Sequence, residues 1–194
     1  MIISKKLSRQ KKIAHGFFNR IGGKSRGIYK SLNCGLGSKD KKKNEIQNLK
    51  IVKNKFNKGG KDIFLLHQIH SNKFIFINKN FKSNKKRFKA DAIITSKRKL
   101  PIGILTADCA PILLYDDVSK MIAAIHAGWK GAYKDIIYKV VKLMVKKGCK
   151  KKNIHAAIGP CISQKDYNVK EGFLRKFIKK NKKNSIFFKK RNNL

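Results

Sequence analysis

At 194 residues the chain is long enough to bury one hydrophobic core and fits a single domain over 1–194. Its formal net charge of +39 would ordinarily point to nucleic acid or an anionic surface. Yet only seven of the 49 basic residues are Arg, and the lysines run from Lys5 to Lys190 without forming one stripe with aromatic partners. With Ile, Asn and Phe also abundant, this reads as coding bias, so composition argues against a nucleic-acid partner, although the charge would still draw in anionic substrates.

Four cysteines, Cys34, Cys109, Cys149 and Cys161, show no CxxC spacing. The N-terminal stretch lacks the apolar core of a signal peptide, and no apolar run has the length of a membrane span. These features predict a cytoplasmic protein with reduced thiols, free for metal or catalysis, and no membrane partner.

Residues 1–12 form a basic lead-in, read as an edge strand or a frayed end. The segment HGFFNRIGGKSRGIYKSLNCGLGSKD that follows places glycines at 16, 22, 23, 27, 35 and 37 between short apolar pieces, the composition of loops bordering a site. Backbone amides at Gly22 and Gly23, beside Arg20, Lys24 and Ser25, either cradle an anion or form a turn with solvated charges, the latter being the commoner outcome. Asn44 to Phe56 spaces Ile46, Leu49, Val52 and Phe56 as a helix, which Gly59 and Gly60 end. Two strand-like runs, Ile63 to Leu66 and Phe74 to Ile77, flank HQIHSN, where Gln68 and His70 share a face and His67 lies on the other. After a polar loop from Lys79 to Lys89, ADAIITSKRKLPIGILTADC gives a strand, a basic turn at Lys97 to Lys99 and another strand.

The stretch from Leu105 to Gly131, LTADCAPILLYDDVSKMIAAIHAGWKG, organises the chain. Its apolar runs Ile112 to Tyr115 and Met121 to Ile125 are separated by a polar turn, which is a hairpin. Pairing Tyr115 with Lys120 sets Cys109 opposite His126, with Cβ atoms about 5 Å apart. A one-residue slip would turn them to opposite faces. The HAGWKG cluster then turns the chain into a helix. Asp135 to Lys147 is the clearest helix, with a stripe of Ile136, Ile137, Val140, Val141 and Met144 and Gly148 at its C-terminal end. A strand from Ile154 to Ile158 runs into GPCIS, where Cys161 reads as a small buried residue. Phe173, Leu174, Phe177 and Ile178 make a short amphipathic turn before a polar tail, residues 179–194, that adds little core. The irregular alternation predicts an α+β fold, a single domain with a mixed β-sheet and flanking helices.

His70, Cys109 and His126 are the residues best suited to a metal. Zinc accepts thiolate sulfur and imidazole nitrogen, and three protein ligands leave a fourth position for water, the composition of a catalytic site. Copper tolerates the same set. A competing arrangement makes Cys109 a nucleophile activated by His126, with Asp108 or another polar group orienting the imidazole.

The motifs QIH at 68–70, ADAIIT at 90–95, TADCAPILLYD at 106–116, AAIHAGWKG at 123–131 and AAIGPCIS at 156–163, followed by Tyr167, resemble the laccase-domain family. That family is also described as multicopper polyphenol oxidases or purine nucleoside phosphorylases and includes a peptidoglycan editing factor. The Gly-rich N-terminal segment and Asn48 are similar to its signature, so the resemblance extends from His15 to Val169. It implies a laccase-domain fold and zinc, or copper, on the catalytic residues His70, Cys109 and His126. It also implies phosphorolysis of adenosine, inosine, guanosine and methylthioadenosine, with adenosine deamination, and leaves room for a homodimer. Arg20 and Lys130 are the candidates to bind substrate phosphate, set against a reading as solvated surface charge. Rival functions are copper-dependent phenol oxidation, a cysteine amidase acting on cell-wall precursors, and a basic nucleic-acid-binding domain.

Two departures stand out. HAGWKG replaces the family's usual HAGWRG, so a bidentate guanidinium contact at position 130 becomes a point charge. The ending SIFFKKRNNL only faintly echoes the family's closing segment, which leads one to expect a truncated C-terminus and an exposed sheet edge.

Overall fold

The computed structural model describes residues 1–56, 60–82 and 87–190. Gly59, residues 83–86 of the polar loop and 191–194 of the tail lie outside the described residues. Two compact units divide the chain, Met1–Pro160 and Cys161–Leu194, a division that composition does not signal.

Apolar runs of four to seven residues build the sheet of the first unit: β1 (Phe74–Ile77), β2 (Ala92–Thr95), β3 (Ala110–Asp116), β4 (Met121–Ala127) and β5 (Ile154–Ile158). Their order is β1-β2-β4-β3-β5. β1 and β2 run parallel and the other neighbours antiparallel, which makes the mixed sheet with flanking helices that the sequence predicts. Strand β4 lies in the middle, and Ala123 to Ala127 are all buried.

The hairpin register differs from the expected one. Asp116 pairs with Met121, and Pro111, rather than Cys109, stands opposite His126. The turn sets this: Asp116 Oδ1 accepts from the amides of Val118 at 3.0 Å and Ser119 at 2.6 Å, and Lys120 takes the left-handed conformation at φ 54°, so residues 117–120 all belong to the loop. A displacement of two residues keeps Cys109 and His126 on the same side of the sheet, because the side-chain period is two.

One sheet face is covered by helix α4 (Ile136–Lys146), whose buried Ile136, Val140 and Met144 pack on Ile94, Ile112, Leu114, Met121 and Ile125. Ile137, assigned to the same stripe, is exposed. Gly148 follows at φ 100°, a conformation glycine adopts without strain. The opposite face carries Leu113, Tyr115, Ile122 and Ala157 against Leu7 and Phe17. The basic lead-in is therefore not frayed: Ser4 caps a one-turn helix α1 (Lys5–Ser8) that buries Leu7 completely, and Ile2 bridges to Phe17.

Helix α2 (Lys42–Phe56) forms where the apolar spacing predicts, but the residues it buries are Glu45 and Asn48, while Ile46 is exposed. Asn48 Oδ1 accepts from Lys24 N at 2.7 Å, and its Nδ2 lies within hydrogen-bonding distance of Ser25 Oγ, Ser31 O and Asn33 O. The helix thus pins the Gly-rich segment through an amide. The run Ile63–Leu66 is no sheet strand: Phe64 makes an isolated bridge to Ile102, as does His67 to Lys89.

In the second unit, α5 (Glu171–Lys180) is a ten-residue helix, longer than the single turn expected. Phe173 and Phe177 stack with ring centroids 4.8 Å apart, and Phe188 from the tail meets both at 6.2 and 6.0 Å. Cys161 is exposed, and the buried cysteine is Cys149.

Candidate metal centre

Three segments converge on one side of the sheet. His126 is the next-to-last residue of β4 and is almost wholly buried, whereas Cys109 precedes β3 and His70 lies in the loop before β1. One donor atom from each of these residues lies within 4.8 Å of the others. The His70 and His126 rings meet edge-on with centroids 4.8 Å apart. Gly128 closes over the group, where an added Cβ would sit 3.0 Å from His70 Cδ2 and 3.1 Å from Cys109 Sγ.

Asp91, immediately before β2, is the residue that sequence reasoning did not single out. Its carboxylate is fully buried. Oδ1 is 2.9 Å from His126 Nδ1 and accepts from the amides of Ile69 at 3.2 Å and His70 at 3.0 Å. Oδ2 accepts from Ser71 N and Ser71 Oγ, both at 2.6 Å. Burial pushes the Asp91 pKa up, but hydrogen bonds from His126 and Ser71 outweigh it and hold the carboxyl below its usual range. An ionised carboxylate only accepts, so the 2.9 Å contact requires a proton on His126 Nδ1 and leaves Nε2 as the ring nitrogen that faces away from Asp91. The signal in the sequence was an Asp directly before the apolar run Ala92 to Ile94.

Cys109 is placed by a second latch. Gln68 Nε2 donates to Leu105 O and Gln68 Oε1 accepts from Leu105 N, both at 2.7 Å, which fastens the segment leading to the thiol. Burial raises the Cys109 pKa, and the Asp108 and Asp91 carboxylates raise it further. That disfavours a free thiolate nucleophile, and the partner orienting His126 is Asp91, not Asp108. A cation held by the three donors would supply the missing positive charge. Two imidazoles and a thiol, one imidazole backed by a carboxylate, are a donor set that fits zinc and also suits copper. Among the described residues this is the one such group.

The three donors open on a broad cleft that Arg20, Arg98, Leu49 and Phe56 also line. Lys130 is not on its wall; its Nζ lies 5.7 Å from the Trp129 ring centroid, at the start of α3 (Trp129–Tyr133). In the Gly-rich turn read as either an anion cradle or a plain turn, three successive amides from Gly23 on are taken by the protein itself. Gly23 N donates to Ser31 Oγ, Lys24 N to Asn48 Oδ1 and Ser25 N to Ser31 O. A Cβ at Gly23 would fall 2.0 Å from Ser31 O, so this glycine serves a close backbone approach.

Residues 14–193 match the family model described as multi-copper polyphenol oxidoreductase laccase. The chain belongs to that family. It is 36% identical over 143 residues to a purine nucleoside phosphorylase of Rickettsia prowazekii, covering 74% of this chain and 57% of that protein. It is 32% identical over 166 residues to the purine nucleoside phosphorylase YlmD of Bacillus subtilis, covering 82% and 60%. Among solved structures, Neisseria meningitidis protein NMB0706 superposes with a TM-score of 0.75 at 28% identity, covering 86% of this chain and 65% of that one. The chain spans about three-fifths of the length of these curated relatives. No described helix is long and apolar enough to cross a membrane.

Proposed function

We propose that this family member is a zinc-dependent purine nucleoside phosphorylase of the cytoplasm. It would cleave adenosine, inosine, guanosine and methylthioadenosine with phosphate and deaminate adenosine in the same cleft. What carries the reading is the convergence of His70, Cys109 and His126 on the wall of a broad cleft. The names of the relatives from Rickettsia prowazekii and Bacillus subtilis supply the substrate class. A zinc ion held there would supply a Lewis acid that polarises a substrate atom or activates a water near neutral pH. The protein's share is positional. Asp91 holds the His126 ring, Gln68 holds the approach to Cys109, and Gly128 leaves room for His70 and Cys109 to meet.

Phosphate must reach the anomeric carbon as the purine departs. Arg20, exposed on the cleft wall, is the cation we assign to that oxyanion. Lys130 is the weaker assignment, since it would have to leave the Trp129 ring to contribute. The test is chromatographic: zinc-loaded protein incubated with inosine, with and without phosphate, beside a Cys109→Ala control. Phosphate-dependent release of hypoxanthine by the wild type alone is the expected result. Equal turnover by both proteins would remove the proposed site. The donor set also suits copper, so phosphate-independent oxygen uptake by the copper-loaded protein with a phenol would establish the oxidase reading in its place.

A further inference from the structure

The buried carboxylate beside the donor set serves more than one of its members. His126 reaches the site on a strand and His70 on a loop whose backbone is left-handed at residue 70, φ 52°. These segments are 56 residues apart in sequence (126 − 70), yet a single side chain binds both. Oδ1 of Asp91 takes the His126 ring proton and the amides of Ile69 and His70, while Oδ2 takes both donors of Ser71. Five donors thus face two oxygens in a residue with no exposed surface. The Asp91 main-chain carbonyl also accepts from His126 N at 2.8 Å, fixing the Cα of that histidine independently of its ring.

We propose that Asp91 is the positioning residue of the centre: it selects Nε2 of His126 as the nitrogen offered to the metal and holds the loop that presents His70. This rests on reading His70, Cys109 and His126 as the metal ligands. All five surrounding groups are donors in this arrangement, so an amide cannot replace the carboxylate in either orientation. With the amide nitrogen in the Oδ2 position, its protons confront Ser71 N–H. With it in the Oδ1 position, they confront His70 N–H and donate to His126 Nδ1, which moves the ring proton to Nε2 and blocks that nitrogen.

The experiment has two arms. In chelator competition with Zn2+, Asp91→Asn binds about 10- to 100-fold more weakly than wild type, the usual cost of losing such a partner. Its far-UV circular dichroism is unchanged. Ser71→Ala, which removes one hydroxyl and leaves the His126 bond, stays within a few-fold of wild type. In the second arm, imidazole 15N spectra of the metal-free wild type report a His126 ring that carries a proton on Nδ1. Wild-type zinc affinity in Asp91→Asn, or a wild-type His126 ring without a proton on Nδ1, would overturn the proposal. The spectra need neither zinc nor a stable variant. If the wild type binds no zinc, the metal reading falls, while the tautomer still decides the role of Asp91.

Discussion

His126 and the pair His70 and Cys109 occupy the same few ångströms, but the chain delivers them by different means. His126 lies on the central strand, between neighbours paired on both sides, and the register of β4 with β2 and β3 sets where its Cα falls. His70 and Cys109 sit on segments with no ladder of their own, and side chains do the work: the buried Asp91 binds the amides around His70, and the half-buried Gln68 binds both backbone groups of Leu105. A ladder spreads positional control over many weak bonds. A side-chain latch concentrates it in one residue, so stability and metal affinity should respond differently at the two places.

The largest effect expected is at the ligands. His126→Ala and His70→Ala each abolish zinc binding in chelator competition, but they separate in urea denaturation of the metal-free protein. His126 is buried on the Asp91 carboxylate, and removing it leaves that charge short of a donor, a cost of about 1–3 kcal/mol. His70 is exposed, and its loss costs under about 0.5 kcal/mol. Equal destabilisation by the two would break the contrast between strand and loop.

Next comes the latch on the thiol side. Gln68→Ala deletes both bonds to Leu105, for about 1–2 kcal/mol, and frees the approach to Cys109. Zinc affinity falls about tenfold, as for other supporting partners of a metal ligand. Hydrogen exchange at the Leu105 amide accelerates while the amides of β4 keep their protection. Unchanged exchange at Leu105 would show that something other than Gln68 holds the segment.

The same contrast explains what could be read from the amino-acid order. The strands β3, β4 and β5 announce themselves as short continuous apolar runs and helix α4 as a stripe of period 3.6, because inner strands are covered on both faces and the helix on one. The three donors stood out because thiol and imidazole are uncommon and borders of strands are where they project. The latches did not, since Asp91, Gln68 and Asn48 are ordinary polar residues whose importance comes from partners 15 to 37 positions away. Even the hairpin register was lost to a local competitor: Asp116 uses its carboxylate to close the turn, and two hydrogen bonds displaced the pairing by two residues. Helix α2 misled for a related reason, burying Asn48 where its apolar stripe predicted Ile46.

A smaller effect tests whether the loop-borne donors depend on empty space as well as on latches. Gly128 has φ −70°, which alanine adopts freely, so Gly128→Ala should leave the unfolding midpoint nearly unchanged. Its Cβ, however, would meet His70 Cδ2 at 3.0 Å and Cys109 Sγ at 3.1 Å, closer than ordinary contact. One of the two must give by a few tenths of an ångström, and zinc affinity should fall a few-fold. A variant that binds zinc as the wild type does would mean that the loops yield easily.

The smallest expected effect concerns the thiols themselves, and it separates burial from proximity to the centre. Cys34, on the cleft wall, is pushed up to about 11 by burial alone. The thiolate is the form that reacts with iodoacetamide, so at pH 8 only about one Cys34 in a thousand is reactive, and its labelling rate should rise about tenfold per pH unit towards 11. Cys161 is exposed and should label first at every pH. Cys109 is also raised, by burial and then by Asp108 and Asp91, but zinc should slow its labelling while leaving Cys34 untouched. Mass spectrometry of each peptide against time, at three pH values with and without zinc, reads all three rates together. Protection of Cys34 by zinc would place that thiol in the centre, where the geometry puts only Cys109.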